Sequence, residues 1–145
     1  EAPSSGSMIL AGLMLKLGGY GFIRCLPYIY GFLFHYGYFI ISLSLIGSLF
    51  TSMFCLIQSD LSMLIAYSSV CHMGLVICGI CTMNSFGMFG SIIFMISHGF
   101  VSSGLFFLVG LLYNNFGTRS FFILSGLMSV NPSLGLFFFV FCCLN

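Results

Sequence analysis

The sequence predicts an all-α, polytopic bundle of transmembrane helices, about five of them, and three observations lead to that class. Only three basic and two acidic residues occur among 145, against 60% hydrophobic, a balance no water-soluble domain sustains. The apolar stretches are continuous, without the period-two alternation of a membrane β-barrel. They also reach the ~20 residues that an α-helix needs to cross hydrocarbon, where backbone amides must be satisfied within the segment.

The first helix is expected over residues 4–24 and carries Lys16, the only lysine in the chain. At 1.5 Å of rise per residue its Cα lies roughly 18 Å from one end of that helix and 12 Å from the other, beyond the reach of a snorkelling side chain. A charge at such depth costs roughly 2.5–3.5 kcal/mol on insertion scales, so the ammonium calls for a partner or water inside the protein. Gly12 at i−4 and Gly19 at i+3 share its face. Small residues there let a neighbouring helix approach, which points Lys16 at protein and away from lipid.

Residues 25–38 combine Pro27 with Tyr28, Tyr30, Tyr36 and Tyr38, a concentration that marks a membrane interface, and His35 is expected as a wet side chain of that belt. A second helix is expected over 39–57. Gln58, Ser59 and Asp60 then turn the chain, with Asp60 read as an N-cap whose carboxylate accepts from first-turn amides, the alternative being a functional acid.

The third helix, expected over 61–82, places His72 on one stripe with Ser68 and Ser69. The fourth, expected over 88–113, places His98 on one face with Ser91 and Ser102. Each histidine alone reads equally as a satisfied core residue or as a proton carrier. Two of them and a lysine on membrane helices favour a proton path.

A polar linker, Asn114 to Arg119, precedes a fifth apolar segment expected over 120–144. Asn131 and Pro132 interrupt it, giving either a kinked helix or a short re-entrant piece before a spanning helix that starts near Ser133. Alternate crossings put Asp60 and Arg119 on one side and Arg24 on the other, one arginine per side, so charge leaves the orientation undetermined.

The seven cysteines lie mostly in apolar segments and read as small hydrophobes; Cys78 and Cys81 form a C-x-x-C without a second pair, which excludes a zinc-site pattern. A net charge of +1 offers no electrostatic footprint for nucleic acid. There is no G-x-G-x-x-G after a strand and no cysteine framework for an iron–sulfur cluster, so no cofactor is expected on this chain. Glu1 is not an initiator methionine and Asn145 follows an apolar run directly, so the chain reads as a piece of a longer protein.

Three stretches, EAPSSGSMILAGLMLKLGGYGFIR, QSDLSMLIAYSSVCHMG and MISHGFVSSGLFFLVGLLYNNFGTR, resemble in order and spacing the chain 4 family of antiporter-like, proton-translocating membrane subunits of mitochondrial NADH:ubiquinone oxidoreductase, respiratory complex I. The resemblance covers nearly the whole chain and implies that residues 1–145 are a fragment of one proton-conducting domain. It matches Lys16 to the family's central-axis lysine on its eighth helix, and His72 and His98 to histidines on its tenth and eleventh.

It further implies proton conduction across the mitochondrial inner membrane, driven by electron transfer from NADH to ubiquinone in other subunits that hold FMN and iron–sulfur clusters. The implied partners are the other membrane subunits of the complex and the lipid bilayer. A different reading is a subunit of a multi-subunit sodium/proton antiporter without redox activity. One departure is Ser62, where the family usually has lysine just after D-L, which removes a loop charge. In the relay so implied, Lys16, His72 and His98 carry the proton and Ser68, Ser69, Ser91 and Ser102 hold water between them.

Overall fold

The computed structural model describes residues 3–145, with the backbone alone for Met128. Its elements are α1 (Ser4–Ile9), a π-helical turn (Leu10–Met14), α2 (Leu15–Ile57), α3 (Leu61–Cys81), α4 (Ser85–Phe116), α5 (Leu127–Val130) and α6 (Pro132–Leu144). No strand occurs among the described residues, and the only bridge is an isolated antiparallel one between Asp60 and Ser120. The fold is the all-α membrane bundle that the apolar runs predict.

Among the described residues three helical stretches are long and apolar enough to cross a membrane: Ser4–Ile57, Leu61–Cys81 and Ser85–Phe116. The first corrects the expected layout. Helices over 4–24 and 39–57 are not separated by an irregular belt, because α2 remains helical throughout 25–38 with Pro27 inside it. At about 1.5 Å per residue the whole stretch measures roughly 80 Å, against a hydrocarbon core of about 30 Å.

Its contacts show how that length is used. Early in the stretch residue numbers rise with those of α3: Ser4, Ser7 and Ala11 line one cavity with Ser62, Ala66 and Ser69, and Gly19 lies beside Met73. Later they run against α3. A methyl built on Gly37 would sit 3.7 Å from the Cys81 carbonyl, Ser44 Oγ is 3.0 Å from Cys78 Sγ, and Cys55 Sγ is 3.9 Å from the Leu64 carbonyl. The chain therefore reverses direction between Gly19 and Gly37 without losing its helical character. Pro27 has no N–H to give to the ladder, and that is where a helix bends most readily.

The helix ends follow backbone chemistry. Gly117 closes α4 in the left-handed region at φ 71°, its N–H donating to the Tyr113 carbonyl at 2.8 Å, a conformation that glycine adopts without steric penalty. This lets α4 run to Phe116, three residues past the expected end. Pro132 stands at the first turn of α6, where its missing N–H leaves no bond unmade.

Two expectations are corrected here. Asp60 does occupy the N-cap position of α3, but its side chain makes no capping hydrogen bond. The backbone does the work instead, with Leu61 N–H donating to the Arg119 carbonyl at 3.1 Å and Phe121 N–H to the Ser59 carbonyl at 2.8 Å. Over 120–144 the second of the two expected arrangements occurs, a short piece and then a helix that begins at Pro132, but that helix does not span. Turns lead to Gly126 at φ 84°, α5 has 4 residues, and α6 has 13, about 20 Å of helix and short of a crossing.

The core lies where α3 and α4 meet the start of the chain. One apolar cluster joins Ala11, Leu61, Ile65, Val101, Leu105, Phe106, Val109 and Leu112. A second joins Met73, Val76, Ile80 and Met95, with Phe22, Ile23 and Leu26 against it. Asp60 and Arg119 thus share one end of the bundle, and Arg24, flanked by Ile23 and Leu26, lies toward the other, as alternate crossings predict.

Candidate functional site

Between these two apolar clusters sits the polar interior. α4 meets the start of the chain at Gly99, where a methyl would stand only 3.3 Å from the Gly12 carbonyl oxygen, whereas one on Gly12 would lie at an ordinary 3.6 Å from Ser103 Cβ. One turn beyond Gly12 the partly buried Lys16 points into that contact. Its Nζ lies 3.0 Å from His98 Nδ1 and also donates to the Ala11 carbonyl. Ala11 belongs to the π-helical turn, and such single turns inside α-helices frequently occur at functional sites.

His98 is 3% exposed, and its Nε2 has no partner among the described residues. An ammonium has donors only. When Lys16 is charged, His98 Nδ1 must therefore accept, and the ring's own proton sits on Nε2. On the far side His72 faces His98 with ring centroids 5.4 Å apart. Phe94 packs against both rings, at 5.9 Å from His72 and 6.3 Å from His98.

The structure thus brings Lys16, His98 and His72 together from three helical segments. It treats the serines differently. Ser69, Ser91 and Ser102 are buried and Ser68 is partly so, but each hydroxyl donates to a carbonyl three residues back on its own helix, to Ala66 at 2.7 Å, Met88 at 2.8 Å, Gly99 at 3.4 Å and Ile65 at 2.8 Å respectively. Their oxygens keep lone pairs for a further donor. None of the four bonds directly to Lys16 or to either histidine in the described hydrogen-bond network. Ser69 instead joins Ser4, Ser7, Ala11, Asn114 and Arg119 around a cavity of about 490 Å³. His35 is exposed beside Phe34, away from this cluster.

Sequence reasoning passed over three participants. The Ala11 carbonyl is backbone and has no residue signature. Phe94 reads as one more apolar residue, and Gly99 as one of 18 glycines; the one available signal was the adjacency of Gly99 to His98. Among the described residues no group of three or more His, Cys, Asp or Glu is placed to hold a metal ion.

An all-α bundle with several membrane-length helices and a lysine–histidine cluster between them, His98 buried and Lys16 and His72 partly so, defines a polytopic membrane protein with an ionisable interior. The whole chain, residues 1–145, matches the family described as NADH:quinone oxidoreductase/Mrp antiporter, TM, and the chain belongs to that family. It is 51% identical over 140 residues to NADH-ubiquinone oxidoreductase chain 4 of Locusta migratoria, covering 97% of this chain and 32% of that protein. The same-named protein of Aedes aegypti is 50% identical over 142 residues, covering 98% and 32%. That of Arabidopsis thaliana is 46% identical over 146 residues, covering 100% and 30%. The chain spans about a third of the length of the curated relatives it matches.

Proposed function

We propose that this chain is the part of a membrane-arm subunit of NADH:ubiquinone oxidoreductase that conducts protons across the inner mitochondrial membrane, coupled to electron transfer from NADH to ubiquinone in other subunits. The observation that carries this reading is the identity of about half, across the whole chain, to relatives named NADH-ubiquinone oxidoreductase chain 4. The family description covers antiporters as well. NADH-dependent quinone reduction by the purified assembly separates the two, since a sodium/proton antiporter has no such activity.

In this reading NADH, FMN, iron–sulfur clusters and ubiquinone act on other subunits, and the chain itself handles protons. The Lys16 ammonium passes a proton to His98 Nδ1 along their hydrogen bond. His98 then releases its Nε2 proton toward His72, and the serine oxygens hold bridging water. The other membrane subunits of the complex and the surrounding lipid are its partners.

The test replaces Lys16 in the full-length subunit. Lys16→Arg keeps a positive charge that does not dissociate. Lys16→Ala removes charge and carrier together. Proton translocation and quinone reductase rates are measured per assembled complex. Relay requires that arginine fail to restore translocation, and full activity with arginine refutes proton release from Lys16.

A further inference from the structure

We infer that Gly99 is a positioning residue for proton transfer between Lys16 and His98, its missing side chain holding the two helices at the separation where Nζ reaches Nδ1. This rests on the relay reading above.

Gly99 directly follows His98, and Gly12 precedes Lys16 by one turn, so this close approach of the two helices adjoins the Lys16–His98 pair. A methyl on Gly99 would stand 3.3 Å from the Gly12 carbonyl oxygen and 3.7 Å from Lys16 Cε. The first contact is backbone and cannot rotate away. The second is the stem of the proton carrier itself. Close-packed interiors transmit such a displacement, so the helices would have to part or slide by a few tenths of an ångström.

The other two glycines of the face behave differently. At Gly12 an added methyl meets Ser103 Cβ at 3.6 Å and the Gly99 carbonyl oxygen at 3.8 Å, ordinary van der Waals distances. At Gly19 it meets the sulfur of Met95, the mobile end of an unbranched side chain that can swing aside. Of the three, only Gly99 would bring a methyl closer than ordinary contact to a backbone atom.

Beyond the packing of Phe94 and His72 on its ring, little fixes the orientation of His98. Its Nε2 is buried without a partner, so the 3.0 Å contact with Lys16 is the ring's one hydrogen bond among the described residues. Lengthening that contact weakens the control that the lysine exerts over the histidine tautomer.

The experiment uses the full-length subunit in the assembled complex, with Gly99→Ala, Gly12→Ala and Lys16→Ala compared to wild type. Three quantities are read: the amount of assembled complex, proton translocation per assembled complex, and the nitrogen-15 signature of the His98 tautomer. Gly99→Ala should assemble, lose roughly tenfold in translocation, and change His98 from a single Nε2–H tautomer to a mixture. Gly12→Ala should match wild type in all three. Wild-type translocation per complex in Gly99→Ala overturns the inference, whether or not less complex assembles, and so does an equal defect in Gly12→Ala. Normal translocation in Lys16→Ala removes the relay reading and this inference with it. An impaired Lys16→Ala beside an unimpaired Gly99→Ala removes this inference alone.

Discussion

Replacing His98 separates holding a charge from moving one. His98→Ala deletes the acceptor 3.0 Å from Lys16 Nζ and leaves the ammonium with the Ala11 carbonyl alone. A hydrogen bond to a charged group contributes about 1.5–3 kcal/mol, which is roughly a tenfold to hundredfold shift in the equilibrium between packed and separated helices. His98 itself is 3% exposed while Lys16 is partly buried, so water that reaches the ammonium offsets part of this loss. His98→Asn is the informative partner: its amide oxygen can stand near the position of Nδ1 and accept from the ammonium, yet it does not titrate. Expressed in the full-length subunit, His98→Ala should reduce both assembled complex and proton translocation, whereas His98→Asn should assemble close to wild type and still fail to translocate. Native electrophoresis gives the first quantity and acidification of proteoliposomes driven by NADH the second. Normal translocation with His98→Asn would refute a carrier role for this histidine. Normal assembly with His98→Ala would refute the structural weight given to its bond with Lys16.

Packing makes two further predictions. A methyl on Gly87 would overlap Thr82 Oγ1 and stand 2.6 Å from the Gly79 carbonyl oxygen, while one on Gly90 meets nothing within 4 Å; Gly87→Ala should therefore sharply lower the yield of folded subunit and Gly90→Ala leave it unchanged, with equal yields contradicting the α3–α4 contact. Gly117→Ala forces a side chain into the left-handed region at φ 71°, a penalty of about 1–2 kcal/mol, so proteolysis between Asn114 and Arg119 should quicken, and unchanged cleavage would count against this helix end.

Membrane helices were legible because hydrocarbon leaves a segment so few options. Where apolar residues run unbroken for a crossing, as over 61–81, only a helix satisfies the backbone, and the expected and observed bounds of α3 differ by one residue at its end. The meeting of Lys16 with His98 was foreshadowed by the glycines flanking the lysine. Their small size was visible in the sequence, while the helix that fills the gap was not. Features carried by backbone escaped. Pro27 and four nearby tyrosines announce an interface, but whether the chain crosses it as coil or as bent helix depends on neighbouring carbonyls that no residue type encodes. Asp60 looked like a cap because its side chain can serve as one, and the carbonyl that takes the Leu61 N–H instead belongs to Arg119, far along the sequence. Over 120–144 the apolar composition suggested a crossing, and the left-handed turn at Gly126 together with Pro132 divided it.

The paired backbone bonds between residues 59–61 and 119–121 have a consequence for how this protein tolerates change. They fasten the entry of the His72 helix to the exit of the His98 helix through main-chain atoms only. Such a clasp draws on no side chain of Asp60 or Ser120. Its one requirement is an amide hydrogen at 61 and at 121. Position 61 opens a helix, the place where imino acids are ordinarily welcome; here proline is the residue the clasp forbids.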